Sequence, residues 1–146
     1  MSCVDYLHGG MLMKFLSEEW FVALEENIYR IFNKPGKLTF EFCEVFDNCP
    51  GEHSLVWVVY DVKNGIAKNV THGFDVIPKC DYFARGNYED HIRVCKKEID
   101  PKKSVLNGTF SVEDRGGGIT PMKLLGLINM YMRLVEAKQL DGVEYE

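Results

Sequence analysis

The chain lacks any uninterrupted apolar run approaching the roughly 18 residues that a membrane-spanning helix needs. No basic, apolar and small-residue pattern typical of a secretion signal precedes its first helical pattern. Its five cysteines are odd in number and scattered, which does not suggest a disulfide framework. Because a reducing compartment fits such thiols best, we expect a soluble, cytoplasmic protein.

Positive charge is also scarce, because the 17 Lys and Arg residues are outnumbered by 22 Asp and Glu residues, which gives a formal net charge of −5. A broad nucleic-acid surface would need clustered basic residues against the phosphates, so we expect no nucleic-acid partner. The local run of Lys96, Lys97, Lys102 and Lys103 is interpreted as a solvated surface. At most it predicts transient contact with an anionic membrane headgroup.

Several motifs of catalysis and cofactor binding are missing. No G-x-S-x-G, H-E-x-x-H, G-x-G-x-x-G or C-x-x-C occurs, and no Lys-Ser/Thr pair follows Gly116–Gly118, which we interpret as a flexible joint. Cys43, Cys49 and His53 are spaced too widely for a structural zinc knuckle. We therefore predict no catalytic residue, no metal and no cofactor.

One pair of residues keeps an enzymatic alternative open. His91 and Cys95 lie four residues apart on one face of a predicted helix, where an imidazole could activate a thiolate. Cys95 also falls in the apolar register of that helix, which favours a buried and inert thiol.

Hydrophobic periodicity predicts five strands. Residues 37–46 alternate with period two, and residues 55–62 are apolar on both faces until Asp61, as in a strand inside a sheet. Asn64-Gly65 supplies the two positive φ angles of a type I′ turn, so a hairpin is predicted there. The predicted strands are residues 37–46, 55–62, 66–70, 80–85 and 109–113.

Capping residues predict four helices in one domain of residues 15–146. Residues 1–14 have no periodicity and are interpreted as a loose leader, with Met13 as a candidate start. The helices are predicted from Ser17 to Asn33, from Tyr88 to Glu98 after Asn87, from Asp100-Pro101 to Asn107, and from Thr120-Pro121 to about Gln139.

The last predicted helix is apolar over about twice the roughly 100° stripe needed by a helix that lies on a sheet. Other helices or a dimer partner could cover the excess, as apolar stripes are normally core. Alternatively, its flexible methionines could line a cavity for an apolar guest.

The order of these elements and several local strings resemble the sterol carrier protein type-2 domain family. The matching strings are WVVYDVKNGIA (57–67), IPKCDYFARG (77–86), DPKKSVLNGTFSVEDRGG (100–117) and PMKLLGLINMYMRL (121–134), and the resemblance covers about residues 15–140.

The resemblance implies an α+β fold, with a five-stranded mostly antiparallel sheet, helices mainly on one face and a hydrophobic tunnel between them. It implies non-catalytic binding of a sterol, fatty acid or fatty acyl-CoA, and the sequence leaves open whether this cargo is transferred or stored. The alternative is a dimerisation or protein-interaction module of the same fold with a collapsed cavity. The predicted tunnel lining is Met122, Leu125, Met130 and Met132 on the terminal helix, and Tyr88, Ile92 and Cys95 on the facing helix.

Overall fold

A computed structural model describes residues 12–115 and 120–145, which form a five-stranded sheet and four helices. The sheet has the strand order β4-β3-β2-β5-β6, and a second sheet pairs β1 with β7. The helices are α1 (Glu18–Ile31), α2 (Tyr88–Cys95), α3 (Pro101–Leu106) and α4 (Pro121–Lys138). The strands are β1 (Met13–Lys14), β2 (Phe40–Asp47), β3 (Val56–Lys63), β4 (Ile66–Phe74), β5 (Tyr82–Asn87), β6 (Ser111–Asp114) and β7 (Val143–Glu144).

The predicted hairpin is confirmed. Asn64 and Gly65 both have positive φ angles, 52° and 83°, as a type I′ turn requires. Gly65 is needed for a second reason, because a Cβ there would lie 2.2 Å from the carbonyl oxygen of Lys34. Strand β3 lies inside the sheet as predicted, although β2 is the middle strand.

Pairing in the main sheet is mostly antiparallel, as predicted. Strand β2 is antiparallel to β3 and parallel to β5, while the β3–β4 and β5–β6 pairs are antiparallel. The parallel pair arises because β5 follows the irregular residues 75–81 rather than a tight turn. The observed β2 begins at Phe40, three residues later than predicted.

The helix caps lie where the sequence predicts them. Ser17, Asp100 and Thr120 each accept a hydrogen bond from a first-turn backbone amide. Asn87 precedes α2 without capping it, because its side chain accepts a hydrogen bond from Asn48 Nδ2 at 2.6 Å. Helix α2 ends at Cys95, three residues before the predicted end.

Both ends of the described chain meet in the small sheet. Met13 and Lys14 pair in parallel with Val143 and Glu144. Leu12 of the predicted leader is exposed, while residues 1–11 of the leader and the predicted joint at Gly116–Gly118 lie outside the described residues.

All four helices contribute buried side chains to the core on one face of the sheet. The inward residues of β2 and β3 fill that core, including the rings of Phe40, Phe42 and Tyr60. The outer face carries a smaller cluster built around Cys43, Val45 and Cys80. This division places the candidate site on the helical side.

Candidate functional site

The predicted lining of α2 faces the helical core. Ile92 and Cys95 are buried, and Tyr88 is half-buried, with its ring centroid 5.6 Å from that of Phe15. The helix turns this face inward because Ile92 and Cys95 stand three residues apart.

The predicted lining of α4 is divided between core and solvent. Met130 is buried and Met132 is half-buried, so both pack with the core cluster that contains Ile92 and Cys95. Met122 and Leu125 are instead 85% and 58% exposed. The structure therefore places Met130 in the same core cluster as Ile92 and Cys95 and leaves Met122 and Leu125 facing solvent.

Aromatic rings bridge β2 and α4 directly. The ring of Tyr131 on α4 stacks on that of Phe42, with centroids 6.1 Å apart. Phe110 packs beside the same tyrosine, at 6.2 Å between centroids. The space in which the resemblance places a tunnel is occupied here by these side chains, so the tunnel stays a prediction.

A buried ion pair lies next to these rings, and the sequence analysis missed it. Lys138 Nζ at the end of α4 donates a hydrogen bond to Glu44 Oε2 on β2, and both side chains are fully buried. Glu44 interrupts the inward series of phenylalanines on β2, and Lys138 lies one helical turn beyond Leu134. A charged residue within the apolar face of a strand and of a helix was the sequence signal that could have indicated this buried pair.

His91 completes this polar cluster. Its Nε2 lies 3.0 Å from the carbonyl oxygen of Val45, which can only accept, so Nε2 carries the proton. Its Nδ1 then accepts from Lys138 Nζ at 3.4 Å. Burial and the Lys138 charge hold the pKa of His91 well below its usual value, so the ring is neutral.

Two tyrosines adjoin the Glu44 carboxylate. Tyr60 Oη donates to Glu44 Oε1 at 2.8 Å. Tyr131 Oη is near enough for the Glu44 charge to act on it, but it lies outside hydrogen-bond geometry with any atom of the described residues. Burial, followed by the Glu44 charge, raises the pKa of both phenols well above the usual value.

The buried imidazole predicts loss of stability in acid. Because the unfolded chain binds a proton near pH 6.5 and the folded chain resists it, stability falls as the pH drops below that value. As the pH is lowered from about 7.5 to about 5, we expect the neutral His91 to reduce the free energy of unfolding by about 2 kcal/mol. Urea titration at the two pH values measures the loss.

The control is His91→Gln, which retains an N–H for the Val45 carbonyl but does not titrate. Its unfolding free energy should fall about 2 kcal/mol less than that of the wild type over this pH interval. The exposed pairs His53–Asp75 and His72–Glu18 are present in both proteins, so their contributions cancel when the two losses of stability are compared. Equal losses would contradict the interpretation.

The thiolate–imidazole arrangement does not form between His91 and Cys95. Both ring nitrogens of His91 are engaged by other groups, and the thiol of Cys95 interacts with Tyr145. Burial raises the pKa of Cys95 to about 11, so the thiol is protonated at neutral pH.

Two cavities lie outside the predicted lining. One of about 700 Å³ lies between α2 and α3 and has polar walls of mixed charge, including Asp90, Arg93, Asp100 and Lys103. The other, of about 250 Å³, opens on the outer sheet face and is lined by Val45, Ile77, Phe83, Arg85, Ser111 and Glu113.

No helix in residues 12–115 or 120–145 is long and apolar enough to cross a bilayer. The same ranges contain no group of three or more His, Cys, Asp or Glu side chains placed to hold a metal ion.

Comparison with solved structures identifies the fold. A crystal structure of sterol carrier protein 2 superposes with a TM-score of 0.68 at 14% identity, covering 84% of this chain and 95% of that one. A conserved hypothetical protein of Thermus thermophilus, described as possibly a sterol carrier protein, gives 0.59 at 15% identity, with coverages of 88% and 90%. Palmitated SCP2L2 of Aedes aegypti gives 0.52 at 15% identity, with coverages of 86% and 96%.

No protein-family model matches the sequence, and no curated protein matches it significantly. The structural likeness extends over most of each chain and establishes a sterol carrier protein 2-like α+β fold. At these identities it shows the fold alone.

Proposed function

We propose that this protein, with its sterol carrier protein 2-like fold, binds an apolar lipid without transforming it and carries it between membranes. The ligand classes are a sterol, a fatty acid or a fatty acyl-CoA, with the hydrocarbon part held between α4 and the sheet. The main support is the exposure of Met122 and Leu125 on a helix whose other half is core. Both side chains face solvent here, so a ligand between α4 and the sheet would cover them once the N-terminal turns of α4 rearrange.

The two halves of α4 are held unequally, which suggests how a ligand would enter. The C-terminal half accepts a hydrogen bond from Asn27 Nδ2 at the Ala137 carbonyl (3.1 Å), and Arg133 Nη2 donates to the Ile31 carbonyl (3.0 Å). The buried ion pair of Lys138 adds a third anchor.

The N-terminal turns of α4 have weaker attachments. They carry the Thr120 cap and an ion pair between the exposed Lys123 and the mostly buried Asp114. An ion pair whose lysine is reached by solvent contributes little to stability. Outward movement of these turns about an anchored C-terminal half would open a path to Leu127 and Met130 in the core.

The energetics are sufficient for a long hydrocarbon tail. Burial contributes about 0.8 kcal/mol per methylene, or roughly 10 kcal/mol gross for a tail of about twelve. Association and the ordering of flexible chains offset part of this. The palmitated form of the Aedes aegypti neighbour supports an acyl chain as the guest. No reactive side chain is required.

A second candidate function rests on the filled interior. Because the rings of Phe42 and Tyr131 already stack across the gap between β2 and α4, the same fold could serve as a dimerisation or protein-interaction module. Met122 and Leu125 would then be covered by a second copy or by another protein rather than by a lipid.

The test is lipid content together with fluorescent fatty-acid binding. We expect organic extracts of the purified protein to contain a lipid by mass spectrometry, and Leu125→Glu to weaken probe binding about tenfold or more, since one buried apolar side chain contributes about 1.5–3 kcal/mol. The matched control is Val22→Glu on α1, a residue 56% exposed, which should change affinity less than about twofold.

Sedimentation velocity separates the two candidates. A protein that is lipid-free, does not bind the probe and sediments as a dimer that Leu125→Glu dissociates would establish the interaction module instead. A monomer without lipid or probe binding would contradict both lipid binding and dimerisation.

A further inference from the structure

Two buried thiols face each other on the outer side of the sheet. Cys43 lies on the middle strand β2, and Cys80 lies two residues before β5 begins. Both are buried in the small outer cluster, where their thiols are close enough to interact. Cys43 and Cys80 are free thiols.

Residues 75–81, here called the cover segment, close over this thiol pair. The segment begins at a turn in which Asp75 has a φ angle of 68° and its amide donates to the Leu55 carbonyl at 3.0 Å. It ends where the Asp81 carbonyl accepts from the Arg115 amide at 2.8 Å. Within the described chain, no backbone hydrogen bond ties residues 77–80 to the sheet.

The cover segment is therefore a low-stability part of the fold. Backbone that lacks ladder hydrogen bonds opens locally at a small fraction of the global unfolding free energy. Ile77 of this segment also lines the outer cavity of about 250 Å³, together with Val45 and Phe83 of the thiol cluster. Solvent and small solutes thus reach the edge of the cluster, and local opening would expose Cys80.

We propose that Cys43 and Cys80 form a reversible dithiol site that reacts with low-molecular-weight disulfides and closes into an intramolecular disulfide, fastening the cover segment to β2. This inference does not depend on the lipid-binding proposal, because the thiols lie on the face of the sheet opposite the helices.

One of the two cysteines attacks the small disulfide, and the other resolves the mixed disulfide that forms. The interaction with the Cys43 thiol lowers the pKa of Cys80. The same interaction, together with burial, raises the pKa of Cys43. Cys80 also belongs to the cover segment, whose local opening exposes it, whereas Cys43 lies on the middle strand of the sheet. Cys80 is therefore the attacking thiolate, and Cys43 is the resolving thiol.

The reaction balances in two exchange steps. Cys80 thiolate attacks one sulfur of the small disulfide and releases one small thiolate, leaving a mixed disulfide on Cys80. Cys43 then loses its proton, attacks Cys80 Sγ and expels the second small thiolate. Overall, the protein dithiol loses two hydrogens as the small disulfide is reduced to two thiols.

The other described cysteines provide internal controls. Cys49 donates to the Phe46 carbonyl at 3.4 Å, and burial raises its pKa to about 11. Cys95 lies in the helical core beside Tyr145. Neither belongs to the outer cluster, and neither should join Cys43 or Cys80 in a disulfide.

The experiment treats the folded chain with glutathione disulfide, blocks remaining thiols and maps tryptic peptides by mass spectrometry. We expect the Cys80 peptide to be linked to the peptide containing Cys43 and Cys49, with loss of two hydrogens and reversal by dithiothreitol. The link should persist in Cys49→Ser and disappear in Cys80→Ala and in Cys43→Ala.

A second readout is hydrogen exchange of residues 76–81, which should slow on oxidation of the wild type and of Cys49→Ser. Loss of the link in Cys49→Ser would overturn the proposal. So would a folded wild type in which Cys80 retains glutathione without a link, or a link that forms only in urea.

Discussion

Replacing Lys138 by methionine is expected to lower the free energy of unfolding by about 3–5 kcal/mol. The substitution leaves the Glu44 carboxylate fully buried, with only the Tyr60 hydroxyl as a hydrogen-bond partner among the described residues. An uncompensated buried charge costs far more than the loss of a surface pair. Urea or thermal unfolding followed by circular dichroism measures the change.

Two further variants separate the charge from the packing. In the double variant Glu44→Gln with Lys138→Met, no unpaired charge remains and the introduced amide oxygen can still accept from Tyr60, so we expect recovery of at least about half of the loss. Lys96→Met breaks the exposed pair with Glu98 and should cost less than about 1 kcal/mol. If Lys138→Met behaves like Lys96→Met, the pair is not buried in solution.

The second large loss of stability is expected from Gly86→Ala, which introduces a methyl group at Gly86. Gly86 lies on β5 beside Phe46, and a Cβ there would lie 2.3 Å from Cδ1 of the Phe110 ring. Phe110 is buried and cannot withdraw easily, because its ring packs edge-on against His91 with centroids 4.9 Å apart. We expect Gly86→Ala to lower the unfolding free energy by about 3 kcal/mol.

The matched control is the same substitution at Gly126 on the exposed half of α4. A Cβ at Gly126 meets no atom within 4 Å. Alanine should stabilise the helix there by about 0.5–1 kcal/mol. Denaturant unfolding of both variants measures the contrast, and a neutral Gly86→Ala would show that Phe110 packs elsewhere in solution.

The buried pair also bears on the proposed function. It connects the end of α4 to the middle strand of the sheet and determines which half of the helix is anchored. A buried ion pair contributes little net stability relative to apolar side chains of similar volume, but it penalises any arrangement that separates its partners. Lys138→Met should therefore loosen the anchored half as well as destabilise the fold.

The turns and helix starts were predictable because their requirements are local. Asn64-Gly65 forms its turn through the φ angles of two adjacent residues, and Thr120 caps α4 through one amide three residues away. The apolar face of α4 was equally visible. Which part of that face would be buried was not, because Met122 and Met130 look alike to a periodicity argument.

The sequence by itself determined the hairpin, the caps at Ser17, Asp100 and Thr120, and the number of strands in the main sheet, and its resemblance to a known family indicated the mostly antiparallel fold class. Only the tertiary structure decided that Glu44 and Lys138, 94 residues apart, meet inside the core, and that Cys43 and Cys80 share one buried cluster. The physical reason is distance along the chain. A turn or a cap is stabilised by neighbouring residues, whereas a buried charge or a thiol pair depends on a partner that only the packed sheet and helices supply.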